Sequence, residues 1–224
     1  MKKLLLLIAL VAGMNLSMKA QSDEPKVQFG VRAGLNVSSF GGDISKKDKG
    51  DMGSSLAGFH IGGIVDINVA NNFYIQPGLY VTTKGGKGKE SGSDWEYKET
   101  ARLTYLQIPV LASYRIPLSD NVKWQINAGP YVAFGLAGKL KWTDIDEGDK
   151  ETGDYKLFGT EKDQEKSILN RFDAGLSFGT GVSITNFYVG VSYDLGLANI
   201  YNEYDDIKYS AKNKNFMVSV GYNF

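Results

Sequence analysis

The sequence predicts an all-β fold, an eight-stranded antiparallel up-and-down transmembrane β-barrel. Three observations predict it. Apolar residues alternate with period two, not the helical period of about 3.6, in one segment after another. The connections between these segments alternate between long and short. An N-terminal export signal is followed by no apolar stretch long enough for a membrane helix, which leaves strands as the only elements that could cross a bilayer.

The signal is read from residues 1–20. "MKK" is a positive n-region, "LLLLIALVAGMNL" an apolar h-region, and Ala20 closes the expected cleavage site. Residues 21–224 then form one barrel domain, since no Pro/Ser-rich linker divides them. Removing Lys2, Lys3 and Lys19 from the 25 basic residues leaves 22 against 25 acidic ones, a net charge near −3. That balance excludes a nucleic-acid binder, which needs a basic excess. The chain has no cysteine, which excludes a lipid-modified N-terminal Cys and any disulfide framework.

Taken in order, the first strand, "VQFGVRAGLNVSSF", sets Phe29, Val31, Ala33, Leu35 and Val37 against Gly30, Arg32, Gly34 and Asn36. The second, "AGFHIGGIVDINVA", sets Phe59, Ile61, Val65 and Ile67 against His60, Gly62, Ile64 and Asp66. The third, "FYIQPGLYVTTK", sets Phe73, Ile75, Leu79 and Val81 against Tyr74, Gln76, Tyr80 and Thr82. In the fourth, "YLQIPVLASYRI", Leu106, Ile108, Val110 and Tyr114 oppose Tyr105, Gln107, Ser113 and Arg115; Pro109 there forgoes a ladder hydrogen bond. The fifth, "VKWQINAGPYVAFGLA", sets Trp124, Ile126, Val132 and Phe134 against Lys123, Gln125, Asn127 and Tyr131. The sixth, "RFDAGLSFGTGVSI", sets Phe172, Leu176, Phe178 and Val182 against Arg171, Asp173, Ser177 and Gly181. The seventh, "FYVGVSYDLGLA", sets Phe187, Val189, Val191 and Leu195 against Tyr188, Gly190, Ser192 and Asp194. The eighth, "NFMVSVGYNF", carries Phe216, Val218, Val220, Tyr222 and Phe224 on one face.

Asn71-Asn72, Pro117 to Asn121 and Thr185-Asn186 read as short turns. Four long polar loops are expected at 40–55, 84–100, 138–170 and 199–214. A meander with one decorated and one plain end is the layout of an outer-membrane barrel, with both termini at the plain end. Face composition sets its orientation. A soluble lipocalin-type barrel would turn the apolar face inward, but that face is too large for a narrow eight-strand interior. The other face mixes glycines with charges of both signs, as a crowded interior requires. A water-facing surface so rich in glycine and poor in lysine would also be a weak solubiliser. The apolar face therefore meets lipid. Phe73, Tyr114, Trp124, Phe187, Tyr222 and Phe224 form an aromatic girdle at the plain end. The last strand must pair with the first, because unpaired backbone groups in hydrocarbon cost several kcal/mol each.

The inward face supplies a candidate lumen polar network of Arg32, His60, Asp66, Arg115, Lys123, Arg171, Asp173 and Asp194, read as a satisfied plug in preference to an ion path. His60, the sole histidine, has no nucleophile elbow or metal-spaced partner. "DIDEGDKETGD" fails as a calcium loop because its glycine is one position early and Tyr155 stands where an acid is needed. "GGKGK" at 85–89 lacks the flanks of a phosphate loop and is expected in a flexible external loop. Neither a cofactor nor a metal is expected. Trp142, Tyr155 and Phe158 in the third loop, with Tyr201, Tyr204 and Tyr209 in the fourth, are candidates for recognising a surface protein or glycan; the other reading is strands rising above the membrane.

The opening "FGVRAGLNVSSF", the phrase "YLQIPVLASYRI", the "AGP" of the fifth strand and the terminal "VGYNF" resemble the Bacteroidota outer-membrane β-barrel family. This PorT-like or porin-family group is similar in build to the small OmpX and OmpA barrels. The resemblance spans nearly all of residues 21–224 and implies outer-membrane lipid as surroundings. It also implies that Tyr222 and Phe224 belong to a terminal signal read by the barrel-insertion machinery. The expectation is a non-enzymatic structural or surface-interaction protein. The alternatives are a narrow ion or solute pore, a secretion-system accessory, and a small enzyme using His60.

Overall fold

The computed structural model describes residues 26–42, 54–159, 167–202 and 210–224; the expected signal peptide, Tyr204 and Tyr209 lie outside these. Among the described residues nine strands form one antiparallel sheet: β1 (Val27–Gly41), β2 (Leu56–Ala70), β3 (Phe73–Ser91), β4 (Trp95–Ser119), β5 (Val122–Asp146), β6 (Asp149–Lys156), β7 (Phe172–Ile184), β8 (Phe187–Gly196) and β9 (Lys212–Asn223). Eight of them close a ring, because β4 pairs with β5 and β1 with β9. The seam runs from Gly30 opposite Asn223 to Gly41 opposite Lys212, and Phe224 N–H donates to Phe29 O at 2.8 Å. Closure removes the edges that a bilayer would penalise.

The orientation is the one expected from the sequence. Leu35, Ile61, Phe134, Val189 and Val220 are exposed on the outside, whereas Arg32, His60, Asp66, Asp173 and Asp194 are buried within. All six girdle aromatics are exposed at the plain end, where Phe187 and Phe224 each meet the Tyr222 ring edge-on. Two-residue turns join the strands there, with a left-handed φ at Asn71 and Thr185.

Much of two expected loops, 84–100 and 138–170, is strand. Residues 84–91 continue β3, and residues 95–104 and 137–146 continue β4 and β5. "GGKGK" is therefore part of a paired strand and not a flexible loop. Above Phe134 the β5 strand exchanges partners. Its lower part pairs with β7, and its upper part pairs with the ninth strand, β6, through a turn at Glu147-Gly148. Four strands thus rise past the ring as a fin. A bulge at Leu136 lets Thr104 face Ala137 while Tyr105 faces Gly135, which reverses the parity of β5 above it. Without that bulge the fin would not keep the same two faces as the barrel wall.

Candidate functional site

The lumen is packed from the plain end upward by alternate side chains of every ring strand. Nearest the plain end, Arg115 Nη2 lies 2.5 Å from Asp66 Oδ2, Gln76 Nε2 donates to Asp66 Oδ1 at 2.6 Å, and the guanidinium stacks over Tyr74. Arg32 sits 4.3 Å from the centre of the Tyr188 ring. At mid-height, Asn36 Nδ2 donates to Thr82 Oγ1, Phe59 O and Thr83 O. Its Oδ1 therefore accepts from His60 Nδ1–H at 2.6 Å, and His60 Nε2 accepts from Ser219 Oγ–H at 2.9 Å. Toward the fin, Lys84 Nζ lies 3.0 Å from Asp173 Oδ2 and 3.9 Å from Asp194 Oδ2. Asn213 Nδ2 donates to Asp173 Oδ2, and Gln107 Nε2 donates to Asp194 Oδ2. The Lys84 ammonium also rests 4.3 Å from the Tyr131 ring centre. Three buried cations thus balance three buried carboxylates, each within a hydrogen-bonded or aromatic surround, the condition under which buried charge is tolerated.

An apolar cap lies over these charges. Leu157, Phe158, Leu169, Ile200 and Ala211 pack with Leu103, Tyr105 and Tyr131 across the upper lumen. Glycine makes this possible at Gly135 and Gly138, where a Cβ would stand 2.5 and 2.8 Å from the Phe158 ring. A cavity lined by Arg32, His60, Tyr80, Gln107, Tyr188 and Ser219 has room for water of about 60 Å³, space for a handful of molecules.

The expected site residues separate into groups. Arg32, His60, Asp66, Arg115, Asp173 and Asp194 converge in the lumen. Lys123 is half-buried near the plain end, opposite Pro117 and Ser183. Arg171 departs from the network: it precedes β7, donates to Gly135 O at 2.8 Å and lies over the Phe158 ring, bracing the cap from its rim. Phe158 is buried in the cap and is unavailable as an exposed recognition residue. Tyr201 packs against the same cluster. Trp142 and Tyr155 lie on the fin, at register positions facing Gly153 and Leu140. The sequence reading missed Lys84, the central cation, although continuing the inward parity of Thr82 by one step reaches it. It likewise missed Asn213, one step from Asn215.

The fin face continuous with the lumen carries Trp95, Tyr97, Trp142 and Tyr155. Around them stand Glu90, Glu99, Asp144, Asp146, Asp149 and Glu151, and no cation shares this face above the lumen among the described residues. Burial and the neighbouring Glu99 push the Tyr97 phenol up to about 12. No group of three or more potential metal ligands occurs among the described residues.

Residues 19–202 match the model of the outer membrane protein β-barrel domain family. The chain belongs to that family. Solved structures of similar architecture include Ail, the attachment invasion locus protein of Yersinia pestis, at 16% identity, covering 89% of this chain and 100% of that one with a TM-score of 0.38. Neisserial surface protein A is 15% identical, covering 87% and 95% with a TM-score of 0.38. The N-terminal β-barrel domain of Pseudomonas aeruginosa OprF is 13% identical, covering 87% and 97% with a TM-score of 0.26. No curated protein matches. As a member of the outer-membrane β-barrel family the chain has lipid as its surroundings, which accounts for its exposed apolar wall.

Proposed function

We propose that this outer-membrane barrel is a non-enzymatic surface-interaction protein that presents the inner face of its fin to a protein or glycan outside the cell. The observation that supports this reading is excess length. β4 and β5 each run 25 residues, where about 9–11 suffice to cross a bilayer. The surplus forms a rigid sheet with aromatics set among carboxylates, a composition suited to recognition. The ring beneath is its anchor. Export by a signal peptide cleaved after Ala20, insertion through Tyr222 and Phe224, and the narrower PorT-like, Bacteroidota placement belong to the same proposal.

The narrow-pore reading is disfavoured by the stacked lumen layers and the cap. The enzyme reading draws on one observation: Ser219, His60 and Asn36 stand in the order of a nucleophile, a base and an orienting group. The small cavity beside them leaves no space for an acyl substrate, which argues for a structural chain of hydrogen bonds.

Photo-crosslinking in native outer membranes tests the proposal. A benzophenone side chain at Trp95 or Tyr155 should trap a discrete protein or glycan adduct. The same group at Val189, on the lipid-facing wall, should not. Lipid adducts alone at all three positions would contradict a recognition role for the fin.

A further inference from the structure

The other face of the fin continues the lipid-facing wall of the barrel, and its charge is opposite. β3 contributes Lys87 and Lys89, and β4 contributes Lys98 and Arg102. β5 adds Lys139 and Lys141, and β6 adds Lys150 and Lys156. Two cations thus come from each strand, and all are exposed. Among the described residues of this face, only Glu96 and Asp154 oppose them. Glu96 pairs with Lys89 and Lys98, and Asp154 with Lys139 at 3.0 Å. Lys87, Lys141 and Lys150 have no ion-pair partner among the described residues.

Register places this patch relative to the bilayer. Val81, Leu106 and Phe134 form the last complete apolar outward layer, with the exposed Leu136 of the bulge just above it. The first cationic row, Arg102 and Lys139, lies four residues higher along β4 and, past the bulge, five along β5. At about 3.3 Å per residue and a strand tilt of roughly 40°, that is about 10 Å above the hydrocarbon edge. Lys150, opposite Ile145, lies about 25 Å above it by the same reckoning. A phospholipid headgroup layer is only about 5–8 Å deep, too shallow to reach most of these positions. A glycolipid bearing phosphates on its sugars spans the right depth, and lysines can reach downward along their stems to meet it.

We infer that the outer face of the fin docks on the phosphorylated saccharide headgroups of the surrounding outer-leaflet glycolipid. Charge complementarity and continuity with the lipid-facing wall both select this occupant. Docking would hold the fin upright against the leaflet and leave its acidic, aromatic face free. The inference does not depend on what that inner face recognises.

The test measures equilibrium retention of fluorescent rough lipopolysaccharide by the full chain in zwitterionic detergent. Parallel arms use the same glycolipid after dephosphorylation, phosphatidylglycerol, and soluble heparin. Wild type should retain the phosphorylated glycolipid roughly tenfold better than the dephosphorylated form, with the preference lost at high salt. The quadruple variant K87Q/K89Q/K141Q/K150Q should lose most of that roughly tenfold preference, and its Lys→Arg counterpart should keep it. The inner-face variant E90Q/E99Q/E151Q should behave as wild type. A heat-dependent gel shift in every variant certifies the folded barrel. Equal retention of the dephosphorylated glycolipid would overturn the inference. So would lysine-dependent binding of phosphatidylglycerol or heparin as tight as that of the glycolipid, the latter marking a site for soluble polyanions.

Discussion

Lys84 Nζ lies 3.0 Å from Asp173 Oδ2, and neither side chain has any exposed surface. This contact, between strands far apart around the ring, holds the centre of the lumen together. Lys84→Met would strand two buried carboxylates and should cost about 3–5 kcal/mol. Adding Asp173→Asn should recover part of that loss, since one uncompensated charge goes with it; Asp194 would keep Gln107. Urea unfolding in lipid vesicles, followed by gel mobility, measures both. A Lys84→Met loss below about 1 kcal/mol would show that the pair does not organise the lumen.

The same packing predicts electrical silence. Planar bilayers containing wild type should show no steady conductance steps. Phe158→Ala should also stay silent, because the Lys84 layer lies beneath the cap, while losing about 3–5 kcal/mol of stability. Reproducible steps in wild type would favour the pore.

His60 is expected to act in folding and not in chemistry. His60→Ala would leave Asn36 Oδ1 and Ser219 Oγ without their imidazole partner, at a cost of about 1–3 kcal/mol, chiefly for the buried Asn36. A serine-reactive fluorophosphonate should fail to label Ser219 in wild type. Labelling that disappears in His60→Ala would restore the enzyme reading.

Glu96 reports on the basic face. Hydrogen bonds from Lys89 and Lys98 hold its carboxyl below its ordinary value of 4.5. A depressed carboxyl contributes stability above its unfolded value and loses it as pH falls through the folded one. Carbon-13 NMR should therefore show Glu96 titrating below 4.5 in wild type and shifting upward in the K89Q/K98Q variant. An unchanged midpoint would mean that the three side chains are not coupled in solution.

Strand pattern, ring closure and orientation were legible in the sequence because the bilayer imposes a period-two rule on every spanning residue. Leu35 and Asn36 are neighbours in sequence and face opposite solvents. The fin was not legible in the same way. Above the membrane both faces meet water, so Lys87, Glu99 and Lys141 alternate by charge sign, and a hydropathy reading does not separate a polar loop from strands rising above the membrane. The bulge at Leu136 further hides the pattern by inverting parity within β5. Lys84 was missed for a related reason: a lysine after two threonines looks like a strand end, yet the wall continues past it. Phe158 drew notice as an aromatic in a polar stretch. Its burial depends on Gly135 and Gly138, 23 and 20 positions away in the chain and brought near only by the fold.

The central claim is that apolar residues face lipid while polar ones fill the ring. It is tested most directly by tryptophan quenching with brominated lipids. Single tryptophans placed at Leu35, Val189 and Val220, in a background without native tryptophan, should be strongly quenched in vesicles. Tryptophans replacing Ser192 or Ser219, on the lumen side of neighbouring strands, should be shielded. The reverse pattern, or uniform quenching at all five positions, would contradict the barrel.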